Sequence, residues 1–323
     1  MPAREKPVSS IPLTIPPPRK GRHTCALVFL AFFFTLVLPG PAAGNWKPLL
    51  DRLTTDGFNR QAAEELFARP EVCFEPDAMA GKIKTLLRSR TYSDGPNADR
   101  PRHGVRSSYL RPAVITRAWD FTFENRKMLE EIRRLYGVPK EIVVSILLIE
   151  THLGRNTGTR CVFNRLASMA LCTDLEMVRP FLGDALLSQD DEEYARRRSR
   201  EKADWAYNEL KALLNLAERA GIDPLGIKGS HYGAIGLCQF MPSNVFIYGI
   251  DADRDGRIDP FARPDALHSI ANYLRGFGWQ AGMDREKQHR VIFSYNHSTV
   301  YANTVLAIAD KLKARGQTKR GRP

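Results

Sequence analysis

A single acidic residue, Glu150, ends a long apolar segment of the sequence. From Ile142 to Ile149 every residue except Ser145 is aliphatic, so no face of this segment is polar. A helix that is apolar on all sides is usually buried, and burial disfavours the charged form of a carboxylate. We therefore expect a raised pKa for Glu150, which suits a general acid acting near neutral pH. The alternative is a structural glutamate paired with an arginine such as Arg155.

A second polar group lies in the glycine-rich segment, Gly229–Ser243, which reads GSHYGAIGLCQFMPS. Its three glycines allow the backbone to approach a ligand or a neighbouring helix closely. The segment fits neither of the phosphate-binding glycine patterns, so we do not expect a nucleotide there. Ser230 and Gln239 suit hydrogen bonds to sugar hydroxyl and N-acetyl groups, and the rings of Tyr232 and Phe240 suit stacking on sugars.

A third group of residues suits a metal ion. Asp251, Asp253 and Asp255 alternate before a glycine, as in the first half of an EF-hand calcium loop. The twelfth position, which normally holds a bidentate glutamate, is Ala262, and the later Asp265 is the candidate that closes the site. Hard oxygen ligands in this pattern favour Ca²⁺ over Mg²⁺, in a structural role. An acidic, solvent-exposed loop without metal is the alternative.

The beginning of the chain has the pattern of an export signal. Basic residues precede an apolar run within Cys25–Pro39, and small residues follow at 42–44. We predict a signal peptide over residues 1–44, with an uncleaved anchor as the alternative, and a periplasmic or otherwise exported protein. The formal net charge of +12 favours an anionic partner. Nucleic acid, anionic lipid and an anionic wall polymer are the candidates; the sequence has no nucleic-acid motif, and the predicted export favours the cell wall.

The cysteines beyond this signal allow a disulfide prediction without fixing it. They are Cys73, Cys161, Cys172 and Cys238. An oxidising compartment permits up to two disulfides among them, with three possible connectivities, and the spacing selects none of these.

The elements that must position these groups are predicted to be helices, since alternating strand patterns are nearly absent. We divide the chain into the signal peptide, an N-terminal helical region (45–105), a main domain (106–314) containing the loop 251–265, and a disordered basic tail (315–323). We expect 93–108 to be an exposed loop and 189–202 a solvated charged face. Helices are predicted at 45–57, 60–67, 78–88, 112–136, 138–154, 166–171, 176–187, 205–220, 244–248 and 265–276.

The sequence resembles the lytic murein transglycosylase B family over about Arg106–Leu312. Four segments carry the resemblance in the family's order and spacing: GVPKEIVVSILLIETHLGRNTG, GSHYGAIGLCQFMPSN, DADRDGRIDPFARPDALHSIANYLRGFGW and SYNHSTVYANTVL. The resemblance implies a mainly α, lysozyme-like fold. It also implies cleavage of the β-1,4 bond between N-acetylmuramic acid and N-acetylglucosamine in peptidoglycan, which leaves a 1,6-anhydromuramoyl end without consuming water.

The resemblance also implies roles for individual residues. Glu150 matches the family's only catalytic carboxylate. The implied substrate contacts are Ser230, Gln239, Phe240, Tyr273, Tyr295 and Asn296. The implied ligands of a structural Ca²⁺, in an elongated EF-hand, are Asp251, Asp253, Asp255, the carbonyl of Arg257 and Asp265. Two positions depart from the family pattern: an arginine pair falls on Glu201–Lys202, and a cleft tyrosine falls near Val105.

We expect a monomer that acts on peptidoglycan glycan strands, with no organic cofactor and no stable membrane span after signal cleavage. Two other functions stay open at this level. One is a calcium-dependent peptidoglycan-binding protein without turnover, which leaves the acid in the apolar helix without a purpose. The other is a hydrolytic lysozyme, whose products carry one more water.

Overall fold

The structure, a computed structural model, describes residues 44–93, 104–183 and 188–320. The predicted signal peptide and most of the loop at 93–108 fall outside these ranges. Over the described residues the fold is mainly α, as predicted. Two short strands, β1 (Arg160–Cys161) and β2 (Lys228–Gly229), pair antiparallel, with Arg160 opposite Gly229. The helices are α1 (Lys47–Thr55), α2 (Arg60–Phe67), α3 (Asp77–Ser93), α4 (Pro112–Glu124), α5 (Arg126–Tyr136), α6 (Lys140–Thr151), α7 (Val162–Leu171), α8 (Arg179–Leu182), α9 (Gln189–Ala220), α10 (Pro242–Tyr248), α11 (Arg263–Gly276), α12 (Arg285–Tyr295) and α13 (Thr299–Arg320).

Helix α6 is the buried centre of one half of the core. Every residue from Ile142 to Ile149 is buried, as its uniformly apolar sequence predicts. Helices α4, α5, α11 and α13 pack around it. The helix is shorter than the predicted 138–154, because His152 and Leu153 both adopt positive φ angles and end it before Gly154. This early end places Glu150 in the last turn.

The other half of the core is built on α7 and α9, which pack against each other, with α1 and α3 on their outer side. All ten residues of α7 are buried, including Asn164, Arg165 and Ser168. Helix α9 has 32 residues, so the charged stretch at 189–202 is continuous with the predicted helix at 205–220. It ends at Gly221 in the left-handed conformation, as predicted.

Three predicted elements differ from the structure. The helix predicted over 112–136 is broken at Asn125, whose side chain donates to the carbonyl of Phe121 at 2.8 Å and competes with the helical backbone. Where the structure describes the helix predicted over 176–187, it has a 3-10 turn, Leu175–Met177, followed by the four-residue α8; residues 184–187 lie outside the described ranges. The predicted disordered tail is helical through Arg320, because α13 continues that far.

Membrane-spanning segments were sought within the described residues only. None of the helices there combines the length and apolarity that a span through a bilayer requires.

Candidate active site

Glu150 lies at the open end of α6, where the chain turns towards the glycine-rich segment. Thr151 fixes this junction: its Oγ1 donates to the carbonyl of Leu237 at 3.0 Å and accepts the N–H of Gly154 at 3.0 Å. The apolar helix therefore delivers one carboxylate, partly buried, to the edge of the segment that carries Ser230 and Gln239.

The carboxylate of Glu150 has one close polar partner, Tyr301 on α13, whose hydroxyl donates to Oε1 at 2.6 Å. Burial raises the pKa of Glu150 to about 7, while the Tyr301 hydrogen bond and the positive charge of Arg106 oppose that rise. The raised pKa agrees with the expectation from the sequence. Among the described residues Arg155 forms no ion pair with Glu150, so the structural alternative lacks its partner.

Among the described residues, no second acid contributes to the pKa shift of Glu150. A hydrolase that uses two carboxylates keeps them about 5–9.5 Å apart, close enough to affect each other's titration. The pKa of Glu150 therefore carries no sign of a second carboxylate within the described part of the chain.

The glycine-rich segment is folded back on itself beside this acid. Ser230 closes its first turn, since Ser230 Oγ accepts the N–H of Ala234 at 3.0 Å. The amide of Gln239 donates to the carbonyls of Thr157 at 3.1 Å and Gly236 at 2.8 Å, and Gln239 itself has a positive φ of 51°. The three glycines are required, because a β-carbon at each would collide with a neighbouring backbone or side-chain atom.

Three of the predicted aromatic residues, Phe240, Tyr273 and Tyr295, form one cluster, whereas Tyr232 lies apart, against His231. Phe240 lies 5.6 Å from Tyr273 and 5.9 Å from Tyr295, between ring centroids. The hydroxyl of Tyr273 donates to the Ser294 carbonyl at 2.8 Å, and that of Tyr295 to the Cys238 carbonyl at 2.6 Å. Phe240 is only 2% exposed, so its ring offers no face to a sugar and instead supports the loop. Stacking on a sugar, the role expected for this ring, does not fit the structure.

Asn296, the last of the predicted substrate contacts, is exposed at the end of α12. Its backbone is extended, and its carbonyl accepts the N–H of Ser298 at 2.6 Å. The ring of the preceding Tyr295 stacks with that of Tyr301, with centroids 6.4 Å apart. Tyr301 thus links the pair Tyr295–Asn296 to Glu150.

Sequence reasoning missed three residues that the fold brings to this acid: Tyr301, Arg106 and Tyr109. The Tyr109 hydroxyl donates to the carbonyl of Ile149 at 3.4 Å, and its ring stacks on His152. Tyr109 lies four positions beyond Val105, where the family pattern places a cleft tyrosine. A tyrosine in an apolar helix normally has a hydroxyl partner, and this was the available signal for Tyr301.

The acidic loop brings together three of its five predicted ligands. Carboxylate oxygens of Asp251, Asp253 and Asp265 lie within 4.8 Å of one another. Oδ1 of Asp251 is buried and has no hydrogen-bond partner among the described residues, which fits an atom oriented towards a cation. Asp255 is exposed and lies outside this group, where its Oδ1 accepts the N–H of Arg257 at 2.8 Å.

Asp265 joins this loop to its surroundings. The side chain is 1% exposed, and its two oxygens accept the N–H groups of Ala252 and Asp259, each at 2.8 Å. Burial raises the pKa of Asp265 against these two hydrogen bonds. The far end of the loop then contacts the glycine-rich segment, where Leu237 N–H donates to the Pro260 carbonyl at 2.8 Å. Order in the acidic loop is therefore transmitted directly to the segment that carries Gln239.

The four described cysteines are all unpaired thiols in the structure. Cys172 and Cys238 are buried in the core, and burial raises the pKa of each thiol to about 12. The disulfides that an oxidising compartment permits are therefore absent from this conformation.

Comparison with known proteins places the chain in a family. A family model described as a transglycosylase SLT domain matches residues 42–288, and the chain belongs to this family. The membrane-bound lytic murein transglycosylase B of Escherichia coli K12 is 28% identical over 246 residues, which cover 74% of this chain. The chain spans only 58% of that relative's length.

Solved structures support the fold. The soluble lytic transglycosylase SltB1 of Pseudomonas aeruginosa superposes with a TM-score of 0.62 at 25% identity, covering 83% of this chain and 98% of that one. The Escherichia coli lytic transglycosylase Slt35 in complex with calcium superposes with a TM-score of 0.63 at 20% identity, covering 85% and 96%. The fold is thus the lysozyme-like fold of these enzymes.

Proposed function

We propose that this protein is an exported lytic transglycosylase that cleaves the MurNAc–GlcNAc β-1,4 bond of peptidoglycan and releases 1,6-anhydromuramoyl products. The observation that carries the proposal is the solitary Glu150, with a pKa raised to about 7 by burial. Membership of the transglycosylase family and the lysozyme-like fold support the same activity.

The first step is protonation of the leaving group. Protonated Glu150 donates its proton to the glycosidic oxygen, and the C1–O4 bond breaks as positive charge develops at C1 of the muramoyl residue. Burial keeps this proton on Glu150 at neutral pH, since solvation of the carboxylate is lost. Tyr301, which donates to Oε1, leaves the other oxygen free to carry the proton.

The second step explains why one acid suffices. Glu150, now a carboxylate, accepts the proton of the muramoyl O6 hydroxyl as O6 attacks C1. The hydrogen bond from Tyr301 stabilises this anionic form. The proton lost in the first step is recovered in the second, and no water is consumed. The substrate's own N-acetyl carbonyl stabilises the charge at C1 in place of a second carboxylate, with the N-acetyl group positioned by the Ser230 hydroxyl and by the Gln239 side-chain oxygen, which can accept its N–H.

The acidic loop is proposed to hold Ca²⁺ in a structural role, with Asp251, Asp253 and Asp265 as the ligands. An ion there would offset the mutual repulsion of three carboxylates and hold the loop in place. Since Pro260 contacts Leu237, this order would extend to Gln239. The proposal draws on the calcium in the Slt35 complex only as a fold-level parallel.

The test is mass spectrometry of the products released from purified sacculi. We expect anhydromuramoyl ends from the wild type and a loss of about 10²–10⁴-fold in release from Glu150→Gln. Glu209→Gln is the matched control, because Glu209 is also a buried glutamate but binds Ser243 at the start of α10. Reducing ends one water heavier would assign a hydrolytic lysozyme, and sacculus binding without release would assign a non-catalytic binding protein.

A further inference from the structure

Arg165 on α7 is fully buried, with 0% exposure, and the mechanism above does not use it. Its guanidinium contacts two acids near the start of α3: Nη1 lies 2.6 Å from Glu75 Oε2 and 2.9 Å from Asp77 Oδ1. Nη2 also donates to Asp77 Oδ2 at 3.1 Å, and both Nη2 and Nε contact the glycine-rich segment. Nε donates to the carbonyl of His231 at 3.0 Å, and Nη2 lies 2.9 Å from the His231 ring nitrogens.

These contacts bring three separate parts of the chain together at the guanidinium group of Arg165. His231 directly follows Ser230, so Arg165 holds the turn whose serine is the proposed substrate contact. The segment before α3 is fixed to the same face of α7 by two further hydrogen bonds: Asn164 Nδ2 donates to the Glu71 carbonyl at 2.9 Å, and Glu75 N–H donates to Ser168 Oγ at 2.7 Å. The N-terminal helices and the proposed glycan groove are therefore connected through one arginine.

Stability alone does not explain such an arginine. Replacing a buried ion pair with apolar residues of similar volume is often neutral or stabilising, because desolvation of the charges costs as much as their attraction returns. What the guanidinium provides is direction: its planar fork fixes the carbonyl and the ring of His231 at once. The ring of Tyr232 in turn lies 4.8 Å from that of His231, in an edge-to-face contact.

We propose that Arg165 is a positioning residue for the glycan-binding turn, acting on Ser230 through His231, and that this action requires the neutral imidazole. Nη2 lies 2.9 Å from both ring nitrogens and therefore over the face of the imidazole, where a neutral ring is tolerated and an imidazolium would repel the guanidinium. The inference rests on the proposed function, since it assumes that Ser230 contacts the glycan.

The charges around His231 come from three elements. Arg165 on α7 and Arg160 on β1 disfavour a second positive charge, while Asp77 and Glu75 near the start of α3 favour it. Burial and the arginines together lower the pKa of His231 below its usual value. The turn therefore keeps its contacts at neutral pH and loses them only in acid.

The experiment measures kcat and KM for a soluble glycan oligomer of alternating GlcNAc and MurNAc, from pH 4 to 9. For Arg165→Met we expect kcat/KM to fall by about tenfold to a hundredfold, mostly through KM, because a displaced contact weakens substrate positioning. The control is Arg196→Met. Arg196 lies on α9, away from the turn, and pairs with Glu176 and Glu192. We expect its kinetic constants to be unchanged.

The pH profile separates positioning from a structural role. The wild type should lose kcat/KM in acid as His231 is protonated, and this limb should be absent from Arg165→Met, where no guanidinium remains for the imidazolium to repel. In His231→Phe the acid limb should disappear, with the Arg165–Asp77 pair intact. Combining both variants should cost less than the product of the two single effects.

Three results would overturn the inference. One is Arg165→Met with wild-type kinetics; another is a His231→Phe enzyme that keeps its acid limb. The third is strict additivity of the two substitutions. If Arg165→Met does not fold, His231→Phe alone decides between the alternatives. A wild type inactive at every pH would instead reject the proposed function.

Discussion

The two acidic regions of the molecule use carboxylates in opposite ways. At the end of α6, Glu150 stands among apolar residues with one tyrosine as its hydrogen-bond partner. In the acidic loop, Asp251, Asp253 and Asp265 converge within 4.8 Å, in a turn rich in backbone N–H donors. Burial raises the pKa of Glu150, as the proposed proton donor requires, whereas convergence of several carboxylates suits the proposed cation site.

Glu209 shows that burial is necessary but not sufficient for the first role. Its carboxylate accepts the N–H and the hydroxyl of Ser243 at 3.0 and 2.8 Å, at the start of α10. Burial raises its pKa, but both oxygens are occupied by donors from a helix N-terminus, which favours the anion. The chemistry of a buried acid thus depends on whether its partners leave it a free oxygen.

The largest expected effect that tests this contrast is on stability. In the folded protein the pKa of Glu150 is about 7, whereas a glutamate ordinarily has a pKa of 4.5. Glu150 therefore ionises at a lower pH in the unfolded chain than in the folded protein. As a result, the contribution of Glu150 to the free energy of unfolding falls between about pH 4.5 and 7 and stays low above that. Glu150→Gln removes this penalty and should be more stable than the wild type at pH 8, by roughly 3 kcal/mol, with no difference at pH 4.

Urea unfolding at the two pH values measures this effect. Glu209→Gln provides the contrast: the pKa of Glu209 is also raised, but the substitution loses part of the hydrogen bonding to Ser243, so its gain in stability at pH 8 should be smaller than that of Glu150→Gln. Equal stability of Glu150→Gln and wild type at pH 8 would show that Glu150 ionises without cost.

Calcium should have the next largest effect. If the acidic loop binds Ca²⁺, a concentration one hundred times Kd stabilises the folded protein by about 2.7 kcal/mol. Thermal unfolding should then shift upwards by roughly 5–10 °C. Asp251→Asn should remove most of this shift, whereas Asp310→Asn, in an exposed pair with Arg285, should retain it. A wild-type melting temperature that changes neither with added calcium nor with a chelator would contradict the metal assignment.

The smallest expected effect sharpens the role of Tyr301. Its hydrogen bond lowers the pKa of Glu150, so Tyr301→Phe should raise that pKa further, by about one unit. The loss of activity at high pH should move upwards by the same amount, because the general acid keeps its proton longer. Tyr295→Phe is the control, since its hydroxyl donates to Cys238 rather than to Glu150. A high-pH limb unchanged in Tyr301→Phe would separate the tyrosine from the acid.

The sequence by itself determined the features that depend on neighbours along the chain. The unbroken apolar run before Glu150 predicted a buried helix and a raised pKa. The three glycines predicted close backbone approach, which the structure confirms. Alternating aspartates predicted a turn in which carboxylates converge; Asp251 and Asp253 do so together with the later Asp265, whereas Asp255 does not. Such patterns report the burial and backbone conformation of one segment, which short-range sterics and solvation largely decide.

Only the tertiary structure decided which distant residues meet. Tyr301 reaches Glu150 across 151 positions, and Arg165 reaches Asp77 and His231 across 88 and 66. Phe240 looked like a sugar platform but is covered by Tyr273 and Tyr295. No local pattern encodes these contacts, because each arises when separately stable helices pack and leave one polar group facing another. The fold, not the run of residues around Glu150, gives this acid its hydrogen-bond partner Tyr301.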